Sequence, residues 1–326
     1  MRKALIVLLV LVLLGGLAAG GGALWAYGQW HAAGPLPEAT AIVVPRGGTQ
    51  AIADALAERG VLRDARLLAP AAWITRSQGP LRAGEYQFPA QASLAEVLEV
   101  LRRSRPVQRR LTIPEGLTAK QIALLIEAAP GLTGDLPPLA EGGLLPETYS
   151  YQYGDSRAAL VRRADAAMDA AMERLWRDRA PNLPVATPRE ALVLASIVER
   201  ETGQAAERPR VAAVFLNRLR RGMPLQSDPT VAYAAADGAV LDRPLTRADL
   251  DRAHPFNTYR NRGLPPGPIA SPGEASIAAV LQPADTDELY FVADGTGGHA
   301  FGRTLEEHNR NVARWRQIER QRATTP

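Results

Sequence analysis

"TPREALVLASIVERETG", residues 187–203, holds two carboxylates at the end of an apolar run. Thr187 suits an N-cap, with Pro188 at the first helical position and Glu190 at the third, so the stretch predicts a helix that Gly203 stops. At about 100° per residue, Leu194, Ile197 and Val198 fall within about 60° of Glu201. Glu201 therefore continues the apolar stripe. Glu199 points nearly the opposite way, near Ser196, with Arg200 off the stripe, and is expected to face water. A carboxylate on a buried face is unfavourable unless it is paired or neutral. Burial raises its pKa and makes it a usable general acid near neutral pH. Geometry leaves a second role equally open: a carboxylate bonded to loop N–H groups or to Arg208, Arg218 or Arg220.

Outward from this helix, the texture from Ser156 onward is helical. "SRAALVRRADAAMDAAMERLWRDRA" predicts a helix ending before Pro181, and "ERPRVAAVFLNRLRRGM" predicts another closed by glycine. After Met223 the composition reads as loops rich in Pro, Gly, Asp and Asn. A strand, "ELYFVAD", and a basic terminal helix follow. The basic tail reads as a solvated face, although it has the charge to touch anionic polymers or lipid headgroups.

Toward the N-terminus, "AIVVPRGGTQAIADALAERGVL" predicts a strand, a turn and an amphipathic helix burying Ile52 and Leu56. "LRAGEYQF" predicts a strand. "SLAEVLEVLRR" predicts a helix capped by Ser93 with Glu96 completing the box. "VVPRGGT" and "TIPEGLT" form one weak internal repeat. The fold class expected is α+β: an N-terminal transmembrane helix, a small LysM-like α/β module, then a mixed α+β catalytic domain. The boundaries are 1–30 for the cytoplasmic tip and anchor, 31–40 for a Pro/Gly/Ala linker, 41–107 for the LysM-like module, 108–155 for a connecting α/β segment and 156–326 for the catalytic domain. The small module reads either as a sugar-binding unit or as a spacer without a ligand.

The anchor rests on residues 4–28, an uncharged run preceded by Arg2 and Lys3 and followed by no Lys or Arg until Arg46. About 20 such residues cross a bilayer. Trp25, Tyr27 and Trp30 mark an interface, and the charge asymmetry places the N-terminus in the cytoplasm and the rest outside. A cleaved signal peptide is the competing reading, since residues 17–23 supply small side chains. The length of the run and its bulky aromatic end favour the uncleaved anchor. With 326 residues, no cysteine and a net charge of +4 spread along the chain, there is no disulfide framework, thiol nucleophile or concentrated basic patch of a nucleic-acid binder. Four histidines without an HExxH pattern give little support to metal hydrolysis.

"LASIVERETGQAAERPRVAAVFLNRLRRGMPLQSDPTVAYA" (194–234), "GLLPETY" (143–149), "NTYRNRGLPPGPIASPG" (257–273) and "LYFVADGTGGHAFGRTLEEHN" (289–309) occur in the order found in one family. The chain resembles the YceG-like endolytic murein transglycosylases over nearly its whole length. The resemblance implies cleavage inside peptidoglycan glycan strands, at the β-1,4 bond between N-acetylmuramic acid and N-acetylglucosamine, leaving 1,6-anhydro ends and terminating nascent strands. It implies that Glu201, the second glutamate of the E-x-E-T block, is the catalytic acid, with no metal or organic cofactor. It also implies residence in the cytoplasmic (inner) membrane and partnership with penicillin-binding synthases. Glu147 stands where the family usually carries aspartate.

Around Glu201, the expected substrate-binding residues are Gln226 and Asp228 on a loop, Asn257 and Tyr259 in the Pro/Gly-rich loop, Asn217 on the third helix, and His299. Each has a plain alternative: a turn or cap for Asp228, loop rigidity for Asn257 and Tyr259, a loop cap for Asn217, a structural role for His299. The rival to an enzyme is a membrane-anchored scaffold that holds glycan for wall synthases without cutting it.

Overall fold

The computed structural model describes residues 2–323. These residues form two units, one of residues 2–109 with 152–154, the other of 110–151 with 155–323. Among the described residues the architecture is α+β, with helices and three two-stranded sheets.

In the first unit, α1 (Arg2–His31) carries the apolar run. Its span Leu5–His31 is long and apolar enough, by length and composition, to cross a membrane. Beyond it, Gly34 N–H donates to the Gln91 carbonyl at 2.9 Å and Leu36 is buried, so this stretch is fastened to the small module. The module runs β1 (Thr40–Val44), α2 (Thr49–Glu58), α3 (Leu68–Ile74), β2 (Gly84–Phe88), α4 (Leu94–Arg103). β1 and β2 pair antiparallel from Thr40 opposite Phe88 to Val44 opposite Gly84. Ile42, Val44, Tyr86 and Phe88 alternate inward and meet Ile52, Leu56, Leu68, Val97 and Leu101 in one core. Period-2 strands and amphipathic helices bury their apolar faces on each other, as the sequence implied. Ser93 and Glu96 form the expected reciprocal cap on α4.

The second unit starts with β3 (Arg109–Thr112), whose first residue belongs to the other unit, and continues through α5 (Ala119–Glu127) and β4 (Thr148–Tyr151). Leu111, Ile113, Ile122, Ile126, Tyr149 and Tyr151 share a core with Leu160, Val161 and Ala164 of α6 (Arg157–Arg177). Next come α7 (Pro188–Glu201), α8 (Arg208–Arg220), α9 (Asp228–Ala236), α10 (Arg247–Asp251) and α11 (Glu274–Leu281). The hairpin β5 (Tyr290–Ala293) and β6 (His299–Gly302) pairs Tyr290 with Gly302, and α12 (Leu305–Ala323) closes the described chain.

The region after Met223 is thus less loop-like than its composition suggests. It contains α9, α10, α11 and the second strand of the hairpin. The missed signal for α9 is a serine N-cap followed by proline near the first helical position.

α7 is the central helix of this unit. It packs against α6, α8, α9 and α11, so nearly every side chain from Ala191 to Val198 is buried. Its start follows the sequence: Thr187 accepts from Glu190 N–H, with Pro188 at the first position. Its end does not depend on a left-handed glycine. Thr202 turns extended at φ −138°, ψ 131°, and its hydroxyl accepts from Gln204 N–H at 3.0 Å.

Candidate functional site

Glu201 is the last residue of α7 and opens into a cleft of about 410 Å³. Arg218, Leu225, Gln226, Asp228, Tyr259, Phe291, Val292 and His308 line the rest of that cleft. Ser227 Oγ donates to Glu201 Oε1 at 2.5 Å. Burial pushes the Glu201 pKa up to about 7. The Ser227 hydrogen bond opposes that rise, the Asp228 charge adds to it and Arg218 opposes it. The group is therefore divided between protonated and ionised forms near neutral pH.

The loop after α8 is built to hold Ser227 at that carboxylate. Ser227 N–H donates to Thr258 Oγ1 at 3.0 Å, and Gln226 N–H donates to the Thr258 carbonyl at 3.2 Å. Thr230 Oγ1 donates to the Ser227 carbonyl at 2.7 Å. Gln226 sits at φ +52°, a left-handed conformation uncommon for a residue with a side chain. These bonds tie "QSDPT" to "NTY", two blocks about 30 residues apart in sequence.

Tyr259 OH donates to Asp228 Oδ1 at 2.7 Å. Burial, then this bond, raise the Tyr259 pKa, so its phenol stays protonated. Arg218 is buried, with Nε donating to the Leu289 carbonyl at 2.7 Å and Nη1 to the Leu225 carbonyl at 2.7 Å. It joins α8 to the residue preceding β5 and to the cleft loop, and brings a positive charge near Glu201. The other two arginines considered as partners for Glu201 lie elsewhere. Arg208 pairs with Glu199 and Glu115, and Arg220 reaches Asn217 Oδ1.

Of the residues singled out in sequence, Glu201, Gln226, Asp228 and Tyr259 are brought together. Three others are committed to the scaffold. Asn217 Nδ2 donates to the carbonyls of Thr286 and Glu288. Asn257, 1% exposed, donates to the carbonyls of Leu250 at 2.9 Å and Arg252 at 2.8 Å, while its Oδ1 accepts from Tyr259 N–H at 3.0 Å. It places Tyr259 rather than facing the cleft. His299 Nδ1 meets Glu207 Oε2 at 2.7 Å, and the backbone N–H of His299 donates to Glu207 Oε1 at 2.9 Å.

Glu199 does not face water. Its side chain is 5% exposed, pairs with Arg208 at 3.1 Å and accepts from Gly273 N–H at 2.9 Å. Placing side chains at about 100° per residue and assigning the polar side to solvent assumes a helix with one wet face, whereas α7 is surrounded. Sequence reading missed Ser227 and His308. Ser227 lay in plain view inside "QSDPT", but only its tertiary contact gives it meaning.

The model of the YceG-like family matches residues 42–314. The chain belongs to the YceG-like family. Among relatives, it is 39% identical over 175 residues to the endolytic murein transglycosylase of Bacillus subtilis, covering 52% of this chain and 46% of that protein. It is 31% identical over 283 residues to the endolytic murein transglycosylase of Streptococcus pneumoniae, covering 72% of this chain and 50% of that one. The chain spans about half the length of the curated relatives it matches. The crystal structure of a YceG-like protein from Listeria monocytogenes aligns with a TM-score of 0.52 at 29% identity, covering 84% of this chain and 99% of that one.

Proposed function

We propose that this YceG-like chain is an endolytic peptidoglycan lytic transglycosylase with Glu201 as its single catalytic acid. The observation that carries the reading is a carboxyl group poised near pH 7 at the floor of a polar cleft. Ordinary glycosidases use two carboxyl groups, because water must be activated or a covalent sugar formed. Here the C6 hydroxyl of N-acetylmuramic acid takes the place of water. With Oε1 held by Ser227, Oε2 of protonated Glu201 gives its proton to the O4 leaving oxygen of N-acetylglucosamine as the C1–O4 bond breaks. The C6 oxygen then bonds to C1, and the carboxylate takes the C6 hydroxyl proton. The products are a free 4-hydroxyl and a 1,6-anhydro end, and no water is added.

Gln226, Asp228 and Tyr259 offer an amide, an acceptor and a phenol for the acetamido and hydroxyl groups of the sugars. The same reading makes α1 a single-pass anchor with its N-terminus in the cytoplasm, so that cleavage occurs on the outer face of the membrane, beside wall synthases that extend the strand. Residues 41–107 stand between anchor and cleaving domain, as a glycan holder or a spacer. Names given to the B. subtilis and S. pneumoniae relatives support the activity.

The test is mass spectrometry of purified sacculi digested by the protein, wild type against Glu201→Gln. Anhydro-ended fragments from wild type alone support the reading. Reducing-ended products would make the enzyme a hydrolase, and intact sacculi would leave a glycan-binding scaffold.

A further inference from the structure

His308 lies on the wall of the same cleft and has no part in the proton transfers above. It sits in the first turn of α12, which starts hard against the hairpin. A Cβ on Gly302 would come within 3.2 Å of Glu307 Cβ and 3.4 Å of His308 N, so the missing side chain lets the turn approach. Glu307 Oε2 accepts from Arg303 N–H at 2.7 Å, and Thr304 Oγ1 accepts from Glu307 N–H at 3.2 Å, which fixes that turn. The imidazole stacks on the Tyr290 ring, with centroids 5.2 Å apart and planes at 25°. Packing therefore sets its position.

Its hydrogen bonding is incomplete. Among the described residues, Nδ1 is buried without a partner. A buried N–H without an acceptor is rarer and costlier than a lone pair without a donor. The proton of the neutral ring thus belongs on Nε2, the nitrogen left for a ligand. Burial, then the Arg218 charge, hold the imidazole pKa below its usual value, which keeps the ring neutral. Arg218 from α8, Glu201 from α7, and Asp228 and Tyr259 are the charged or titratable groups sharing this wall.

We propose that His308 is a substrate-binding residue whose Nε2–H donates to an uncharged oxygen of the bound sugar strand, an acetamido carbonyl or a hydroxyl. This rests on the glycan-cleaving reading of the cleft. The histidine visible in sequence, His299, has its ring engaged with Glu207 instead.

The experiment measures binding of uncrosslinked peptidoglycan glycan strands to the full chain in a Glu201→Gln background, where nothing is cut. His308→Phe keeps a flat ring against Tyr290 and removes the donor, and His308→Gln restores an amide donor. One uncompensated neutral hydrogen bond corresponds to about a three- to tenfold change in affinity. His308→Phe is expected to weaken binding by that factor and His308→Gln by less, with both variants melting with the parent. In the active background, KM should rise with kcat and the pH limb near 7 unchanged. Strands stripped of acetyl groups identify the acceptor: a penalty that disappears there assigns the acetamido carbonyl, and one that persists assigns a hydroxyl. Binding by His308→Phe as tight as the parent's overturns the proposal. Failure of the cleavage reading would show separately, as an absence of anhydro ends from the protein with Glu201 intact.

Discussion

The hydroxyl of Ser227 donates to Glu201 Oε1 at 2.5 Å, across 26 residues of sequence. The bond favours the ionised carboxylate and restrains the upward push of burial. Glu201 is held near neutrality by this opposition.

Ser227→Ala removes the restraint. The Glu201 pKa should rise further above about 7, because the ionised form loses its donor. If the acid must be protonated, activity falls as pH rises through that pKa, so the alkaline limb of the rate profile should move to higher pH. A pH profile of glycan cleavage checks this; a limb that stays in place or moves down would separate Ser227 from the acid.

Glu201→Gln should abolish cleavage while changing stability in a pH-dependent way. The folded-state pKa is raised, so between the unfolded value near 4.5 and about 7 the folded protein holds more protons than the unfolded chain. Wild-type stability therefore falls across that window and levels off above it. The glutamine variant lacks this loss and keeps an acceptor for Ser227. Urea unfolding should show the two proteins alike near pH 4 and the variant more stable by roughly 1–3 kcal/mol at pH 8.

Glu199→Gln tests the neighbouring carboxylate in its buried place. It breaks the pair with Arg208 while leaving an acceptor for Gly273 N–H. Hydrogen bonds to charged groups contribute about 1.5–3 kcal/mol, and Arg208 retains Glu115. Denaturation should show a loss of about 1–3 kcal/mol with the alkaline limb of activity unmoved.

Asn257→Ala separates scaffold from substrate contact. The side chain satisfies several carbonyls and the Tyr259 N–H in a buried loop, so about 2–4 kcal/mol of stability should go. A raised KM with unaltered melting would instead return Asn257 to the cleft.

Much of the architecture could be read directly from residue patterns. The strands β1 and β2, the amphipathic α2 and the capped α4 of the small module occur where the sequence places them, as do α6, α7 and α8, whereas α3 carried no signal that was read. These elements are local, and their signals lie within a few turns of the chain. The helices after Met223 were obscured because Pro and Gly punctuate the segment at short intervals, and because short helices carry little periodicity. α9 spans only nine residues.

The sequence by itself determined that Glu201 continues the apolar stripe of α7, because helical periodicity needs no partner. It also determined the apolar run of α1 and the blocks that mark the YceG-like family. Tertiary structure alone decided which polar groups meet that carboxylate. Asn217, Asn257 and His299 have the same chemistry as cleft residues, yet their hydrogen bonds are used by carbonyls and a glutamate elsewhere. Ser227 and His308 reach the cleft from separate segments. Glu199 turned out to be buried because neighbouring helices cover the face of α7 that periodicity assigns to water. A helical wheel gives the direction of a side chain; what occupies that direction depends on packing between distant parts of the chain.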